Sequence, residues 1–297
     1  MRIYLLPIST RRTLIYCERL SVHEARQKSL VDRAVDKAST TWTNWERTDK
    51  GWKKSVTHYG SILLNRIPFE EWGLKTVPPL AKRKGDLKGG RRRVEVLYPG
   101  AFLEEGHAPW ILERIATERQ GLHRGKMWWS FGGMPLAAPF ALIPIIPNFP
   151  FFYLAFRAWS HWRAWSGSKH LEFLLKNDLL KYHPSPILDQ MYTAGLMHRS
   201  PFKSRAAPTP TPDQTAKLAD NIDAEKQPDA KEVMLLRRWN GKLLADQLKL
   251  PNMEVEIERA VDQVERDIKA KEVEEAEDPR RKGEARAEAR EEKNSPS

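Results

Sequence analysis

A single cysteine, Cys17, stands in a chain of 297 residues. That excludes a disulfide framework and any cysteine-based zinc cluster within one chain. No G-x-G-x-x-G, G-K-[ST] loop, H-E-x-x-H or G-x-S-x-G occurs, so a dinucleotide site, a phosphate cradle, a zinc-protease helix and a nucleophile elbow all lack support. The histidines, His23, His58, His107, His123, His161, His170, His183 and His198, never pair at i, i+3 or i, i+4, which reads as surface histidines rather than a helical metal site. Glu70/Glu71 and Glu104/Glu105 are adjacent rather than facing, the pattern of exposed carboxylates. Catalytic, cofactor-binding and metal-ligating residues are therefore expected to be none, and the chain is not expected to be an enzyme. With 40% hydrophobic residues and a mean hydropathy of -0.61, it is also no many-span carrier.

What is present is unevenly placed. The net charge of +11 divides into +11 over residues 1–126, +5 over 127–205 and -5 over 206–297. Ten of the 11 tryptophans fall between Trp42 and Trp165, in the basic half. Indole rings favour the headgroup level and Lys/Arg favour anionic phosphate, so this pairing predicts contact with an anionic interface. The densest basic cluster is Lys82, Arg83, Lys84, Lys88, Arg91, Arg92 and Arg93. It reads as a loop lying on anionic lipid, as a nucleic-acid patch, or as a solvated loop.

Charge is missing altogether from Met127 to Phe156, 30 residues reading MWWSFGGMPLAAPFALIPIIPNFPFFYLAF. About 20 apolar residues suffice to cross a bilayer. Pro135, Pro139, Pro144, Pro147 and Pro150 break the run, so it predicts either a short hairpin insertion or a kinked span, with basic flanks on both sides. Trp128 and Trp129 at its start, and Trp159, Trp162 and Trp165 after it, are expected to anchor at the interface.

The opening MRIYLLPISTRRTLIYCERL has arginines and no acid before Glu18. It reads either as a mitochondrial targeting segment or as two short strands, Ile3–Leu6 and Leu14–Tyr16, around a turn at Pro7. Ser21 and Glu24 form a capping box for a helix from Val22. Its seam, Val31, Val35, Ala38, Trp42, Trp45, Trp52, Val56, Tyr59 and Leu63, predicts packing on another helix of the same chain, with a coiled-coil partner site as the alternative. Residues 201–228 read as a disordered linker. Leu235, Leu236, Trp239, Leu243, Leu244 and Leu248, then Met253, Ile257, Val261, Val264 and Ile268, predict a helical hairpin broken at Pro251.

The fold class expected is thus mainly α. A basic, tryptophan-rich helical region (1–126) precedes a membrane-inserted segment (127–165) and a post-membrane region (166–200). A disordered linker (201–230), a C-terminal helical hairpin (231–271) and a charged tail (272–297) complete the chain.

The opening IYLLPISTRRTLIYC (Ile3–Cys17), the segment IPFEEWGLK (Ile67–Lys75), the proline-broken apolar run and PNMEVEIERAVDQV (Pro251–Val264) together resemble the fungal mitochondrial potassium/proton exchange-related family, over Arg2 to about Lys271. The resemblance supplies no catalytic or ion-binding residues. It implies a protein of the mitochondrial inner membrane required for, or regulating, potassium/proton exchange and matrix volume, as an accessory rather than the pore. Anionic lipid, with cardiolipin a candidate on charge grounds, and protein partners in an exchanger complex or a homo-oligomer are the expected partners, and nucleic acid is not. The alternatives are a membrane scaffold or assembly factor that affects exchange indirectly, or a basic nucleic-acid-binding protein.

Overall fold

The structure is a computed structural model that describes residues 1–18, 37, 40, 41, 44, 45, 51–80, 93–137, 139, 149–198, 209–224 and 231–277. Its centre is a strand. In Arg2–Pro7 (β1), Ile3 and Leu5 face one side, Tyr4 and Leu6 the other, and all four are buried. A strand buried on both faces belongs in the middle of a sheet, and β1 is paired on both edges. Thr13–Glu18 (β2) runs antiparallel to it, from Arg2↔Glu18 to Pro7↔Thr13. Val94–Tyr98 (β3) lies parallel to β1 on the other edge, and Leu180–Pro184 (β4) lies parallel to β3. The order is β2-β1-β3-β4. Of the two readings of the opening residues, the strands are the one observed.

The helices whose bounds lie among the described residues are α1 (Trp52–Asn65), α2 (Phe69–Thr76), α3 (His107–Thr117), α4 (Gln120–Ala137), α5 (Phe149–Lys176), α6 (Pro186–Met197), α7 (Pro212–Ala224), α8 (Asn240–Leu248) and α9 (Pro251–Glu277). On one face of the sheet, Tyr4, Leu6 and Tyr16 pack with Leu188 and Tyr192 of α6, Ile222 of α7, Leu244 of α8, and Met253, Ile257 and Val261 of α9. On the other, Ile3, Leu5, Ile15 and Val96 pack with Leu74 of α2, Leu112 of α3, and Ala164, Leu171 and Leu174 of α5. Each fully buried Leu or Ile contributes roughly 1.5–3 kcal/mol. Burial of these two apolar faces is what draws the helices onto the sheet.

The chain is therefore an α/β sandwich with a four-stranded mixed sheet, which corrects the mainly α expectation. The expected membrane segment is corrected too. Among the described residues, no helix is long and apolar enough to cross a membrane. The charge-free run divides between α4 and α5, with residues 138 and 140–148 outside the described part. These helices lie antiparallel against each other, with His123 beside His161 and Gly133 beside Leu154. α5 continues through Arg157, His161 and Arg163, whose partners on another helix no count of charges along the sequence reveals.

Three further expectations meet the described residues in part. Within the expected linker, Pro212–Ala224 is helical and buries Ala219 and Ile222 in the first core. The tail, expected as a charged helix or a disordered stretch, is helical to Glu277 as the end of α9, and residues after 277 lie outside the described part. The start of the long N-terminal helix and the first part of its seam, Val31, Val35, Ala38 and Trp42, also lie outside it. Where the seam is described, Tyr59 and Leu63 of α1 are exposed and do not supply the expected packing.

Candidate functional site: a buried ionisable cluster

The segment IPFEEWGLK forms α2 and the turn before it. Pro68 stands at the N-cap, and Glu70 and Glu71 occupy the first turn, where the helix dipole favours carboxylates. Gln263 of α9 fixes the start: its amide nitrogen donates to the Ile67 carbonyl at 2.8 Å and its amide oxygen accepts from the Phe69 N–H at 2.8 Å. At the far end, Thr76 Oγ1 accepts from the Cys17 N–H at 2.9 Å, and Arg163 donates to the Lys75 carbonyl at 3.0 Å. So held between β2, α5 and α9, α2 presents Glu71 and Lys75, four residues apart on one face, to the antiparallel pair α4 and α5.

Glu71, Lys75, His123, Ser160 and His161 are all buried here, and Arg157 completes the group. Arg157 grips the carboxylate with both terminal nitrogens, Nη1 to Oε1 at 3.0 Å and Nη2 to Oε2 at 3.3 Å. The Ser160 hydroxyl donates to Glu71 Oε1 at 2.5 Å and accepts from Lys75 Nζ at 2.9 Å. Arg157 Nη2 also lies 2.8 Å from His161 Nε2. A guanidinium only donates, so His161 Nε2 accepts and its proton sits on Nδ1. That nitrogen is 3.2 Å from His123 Nδ1 and 3.5 Å from Glu71 Oε2. Donation to His123 leaves the His123 proton on Nε2, a buried atom with no partner.

Burial alone would raise the Glu71 carboxyl, but the Ser160 hydrogen bond and the Arg157 charge outweigh it and hold it below the ordinary carboxylate range. Burial, reinforced by Arg157, pushes His161 down to about 4, and burial lowers His123 as well. Both imidazoles are neutral at pH 7. Lys75 is pushed down to about 7 by burial, with Arg157 and Arg259 adding to the effect and Glu71 and Glu256 opposing it.

Glu71, His123 and His161 have the ligand types of a metal site, and one ligating atom of each lies within 4.8 Å of the others. The surrounding chemistry does not fit an ion. A metal on His161 Nδ1 would force the proton onto Nε2, where it would face the Arg157 donor at 2.8 Å. Arg157 already supplies the positive charge that balances Glu71. The arrangement instead offers a hydrogen-bonded chain able to hold and pass a proton.

The sequence-predicted interface residues fall elsewhere. Trp128 and Trp129 are exposed, at 63% and 83%, beside Phe131, Leu136 and Phe152, and Trp162 is exposed at 40%. Trp159 and Trp165 are half-buried, and the Trp159 Nε1 atom is buried without a partner. Arg93 is exposed, while Lys82, Arg83, Lys84, Arg91 and Arg92 lie outside the described residues.

The profile of the mitochondrial K+-H+ exchange-related family matches residues 2–175. This chain belongs to that family. The matched region holds the whole sheet except β4, together with every member of the buried cluster, and it stops short of PNMEVEIERAVDQV. The family is described by a mitochondrial process, K+-H+ exchange, which points to a mitochondrial location. An uncharacterized protein of Schizosaccharomyces pombe is 28% identical over 49% of this chain and 62% of its own length. One of Saccharomyces cerevisiae is 24% identical over 60% of this chain and 63% of its own length. The chain thus spans less than two thirds of the length of these relatives. No solved structure matches it.

Sequence reasoning missed the cluster. It took Glu70/Glu71 as exposed, and Glu71 is buried; it took histidines as surface groups, and His123 and His161 are buried. One signal was legible: Arg157 and His161, four residues apart, are ionisable groups sharing one face of an otherwise apolar stretch.

Proposed function

We propose that this protein is a non-catalytic accessory of mitochondrial potassium/proton exchange that works at the anionic surface of the inner membrane, with cardiolipin among the lipids it meets. Family membership supports the link to exchange. The observation that carries the surface role is the outer face of α4 and the start of α5. Trp128, Trp129, Phe131, Leu136 and Phe152 are exposed there, and Arg124 and Lys126 are exposed on the same helix. No Asp or Glu occurs from Gln120 to Ala137 or from Phe149 to Leu171. Exposed aromatic groups beside uncompensated cations suit a helix pair lying on anionic headgroups.

Two measurements test this. Potassium-acetate swelling of mitochondria lacking the protein should be impaired, and normal swelling sinks the exchange role. Purified full chain should float with vesicles containing cardiolipin and not with neutral phosphatidylcholine vesicles, and a Trp128→Ser/Trp129→Ser variant should float poorly. Equal flotation of the variant, or none of either, removes the lipid surface and leaves a protein partner on that face.

A further inference from the structure

Lys75 is the buried cation that the cluster has no need of for charge balance. Two carboxylates stand near it, Glu71 and Glu256, and each is already paired with a guanidinium, Glu71 with Arg157 at 3.0 Å and Glu256 with Arg259 at 2.5 Å. The ammonium thus forms no ion pair of its own with either carboxylate. Its Nζ meets Glu71 through the Ser160 hydroxyl, and it lies 3.1 Å from the centroid of the Trp72 ring. Arg259 of α9 packs on the same ring, its Cζ 4.2 Å from the centroid.

From this geometry we propose that Lys75 is a proton-binding site, loaded and unloaded through a Ser160 hydroxyl that bridges it to Glu71. Transfer along the bridge is balanced. One N–H bond of the ammonium breaks as Ser160 Oγ takes that proton, and the original Ser160 O–H bond breaks as Glu71 Oε1 takes its proton. A charged pair becomes a neutral amine and a neutral acid, with one proton moved.

The groups facing the site come from four directions. On α2 it is Glu71, and on α5 Arg157, His161 and Arg163. On α9 they are Glu256 and Arg259; beyond Glu71, His123 of α4 is flanked by Arg119 and Lys126. The guanidiniums do not titrate near neutrality and both histidines are neutral there. Lys75 is therefore the group in this set that exchanges a proton under physiological conditions. Release also removes the ammonium from the Trp72 ring, so the proton is linked to how α2 is held beside α9. Its meaning for potassium/proton exchange rests on the reading above.

The test is lysine ε-13C NMR of the purified full chain across pH 5.5–10.5 (roughly one unit below the ordinary histidine value to the ordinary lysine value). One lysine resonance should titrate near neutrality and vanish in Lys75→Met. In Arg259→Gln, loss of a neighbouring cation should raise its proton affinity about tenfold. A spectrum in which every lysine titrates as an ordinary amine overturns the site, and so does a near-neutral resonance that persists in Lys75→Met. Should Lys75→Met not fold, the Arg259→Gln displacement identifies the resonance, and an unmoved midpoint rejects it. Swelling of mitochondria is read separately: a neutral-titrating Lys75 with normal swelling keeps the proton site and removes its role in exchange.

Discussion

Gly167 of α5 rests against the carbonyl oxygen of Leu74 in α2, and a β-carbon at position 167 would lie 2.2 Å from that oxygen. On another side of α2, a β-carbon at Gly73 would lie 2.5 Å from the Ile15 carbonyl oxygen of β2. These two close approaches set the depth at which α2 sits and hence the distance between Lys75 and Ser160. Gly167→Ala should lower the free energy of unfolding by about 2–3 kcal/mol, because a backbone oxygen cannot rotate away as a side chain can. Gly125→Ala, at a helical position with open space around it, should raise stability by roughly 0.5–1 kcal/mol. Urea unfolding of both reads the contrast, and a Gly167→Ala protein as stable as the parent shows that the contact is slack.

Acid should loosen α4 from α5. Folded His161 titrates at about 4, below the ordinary histidine value of 6.5, so between these limits the unfolded chain binds more protons and stability falls as pH falls. His123 is lowered in the same direction. A protonated His161 would present a donor to Arg157 and lose the contact it now accepts. The loss from His161 is on the order of 3 kcal/mol when complete. Glu71 and Glu172 also titrate below their ordinary values, and their contribution is lost only below about 4.5. The slope from pH 6.5 down to 4.5 therefore reports the histidines. His161→Gln keeps an acceptor for Arg157 and should flatten that slope; an unchanged slope assigns it to other groups.

At the other end of the scale Lys75 gives the opposite test. Its folded value of about 7 lies below the ordinary 10.5, so the unfolded chain holds more protons across that window and stability should rise as pH rises. The limiting slope is about 1.4 kcal/mol per pH unit for one proton. The buried tyrosines Tyr4, Tyr98 and Tyr192, raised by burial, begin to oppose it above about 10. Thermal melts from pH 7 to 9.5 should climb for the parent and stay level for Lys75→Met; parallel curves would contradict the assignment.

Removing the carboxylate is the severe change. Glu71→Gln keeps the shape but leaves Arg157 with a neutral partner in a buried site, a loss of about 3–5 kcal/mol. Chemical denaturation of Glu71→Gln and of Glu70→Gln reads the difference. The Glu70 pair with Arg119 is partly exposed, at 3.2 Å, and should be worth no more than about 1 kcal/mol. Equal losses in the two variants would mean that burial of Glu71 does not control its energetics.

Some of the fold was legible residue by residue. Met253, Ile257, Val261 and Val264 recur at helical spacing after Pro251, and they are the buried face of α9. Ile3 to Leu6 show continuous apolar character over a strand-length stretch, yet the nearby arginines supported a targeting segment equally well. Pairing with β3, whose residues lie about 90 positions away, shows the strand. The charge-free run misled because hydropathy counted in sequence assigns each residue one solvent. Neighbouring positions of α4 face opposite environments, His123 and Met127 the interior and Trp128 and Trp129 the outside.

The sequence by itself determined where apolar faces and helix breaks fall, because periodicity and proline act within a few residues. It also determined family membership, carried in part by the same segment that forms α2. Only the tertiary structure decided that Glu71 of α2, His123 of α4 and Arg157 and His161 of α5 meet out of water. Bringing a carboxylate, a guanidinium and two imidazoles from three helices within hydrogen-bond distance depends on how those helices pack. Their ionisation follows from that burial, which no local window of residues records.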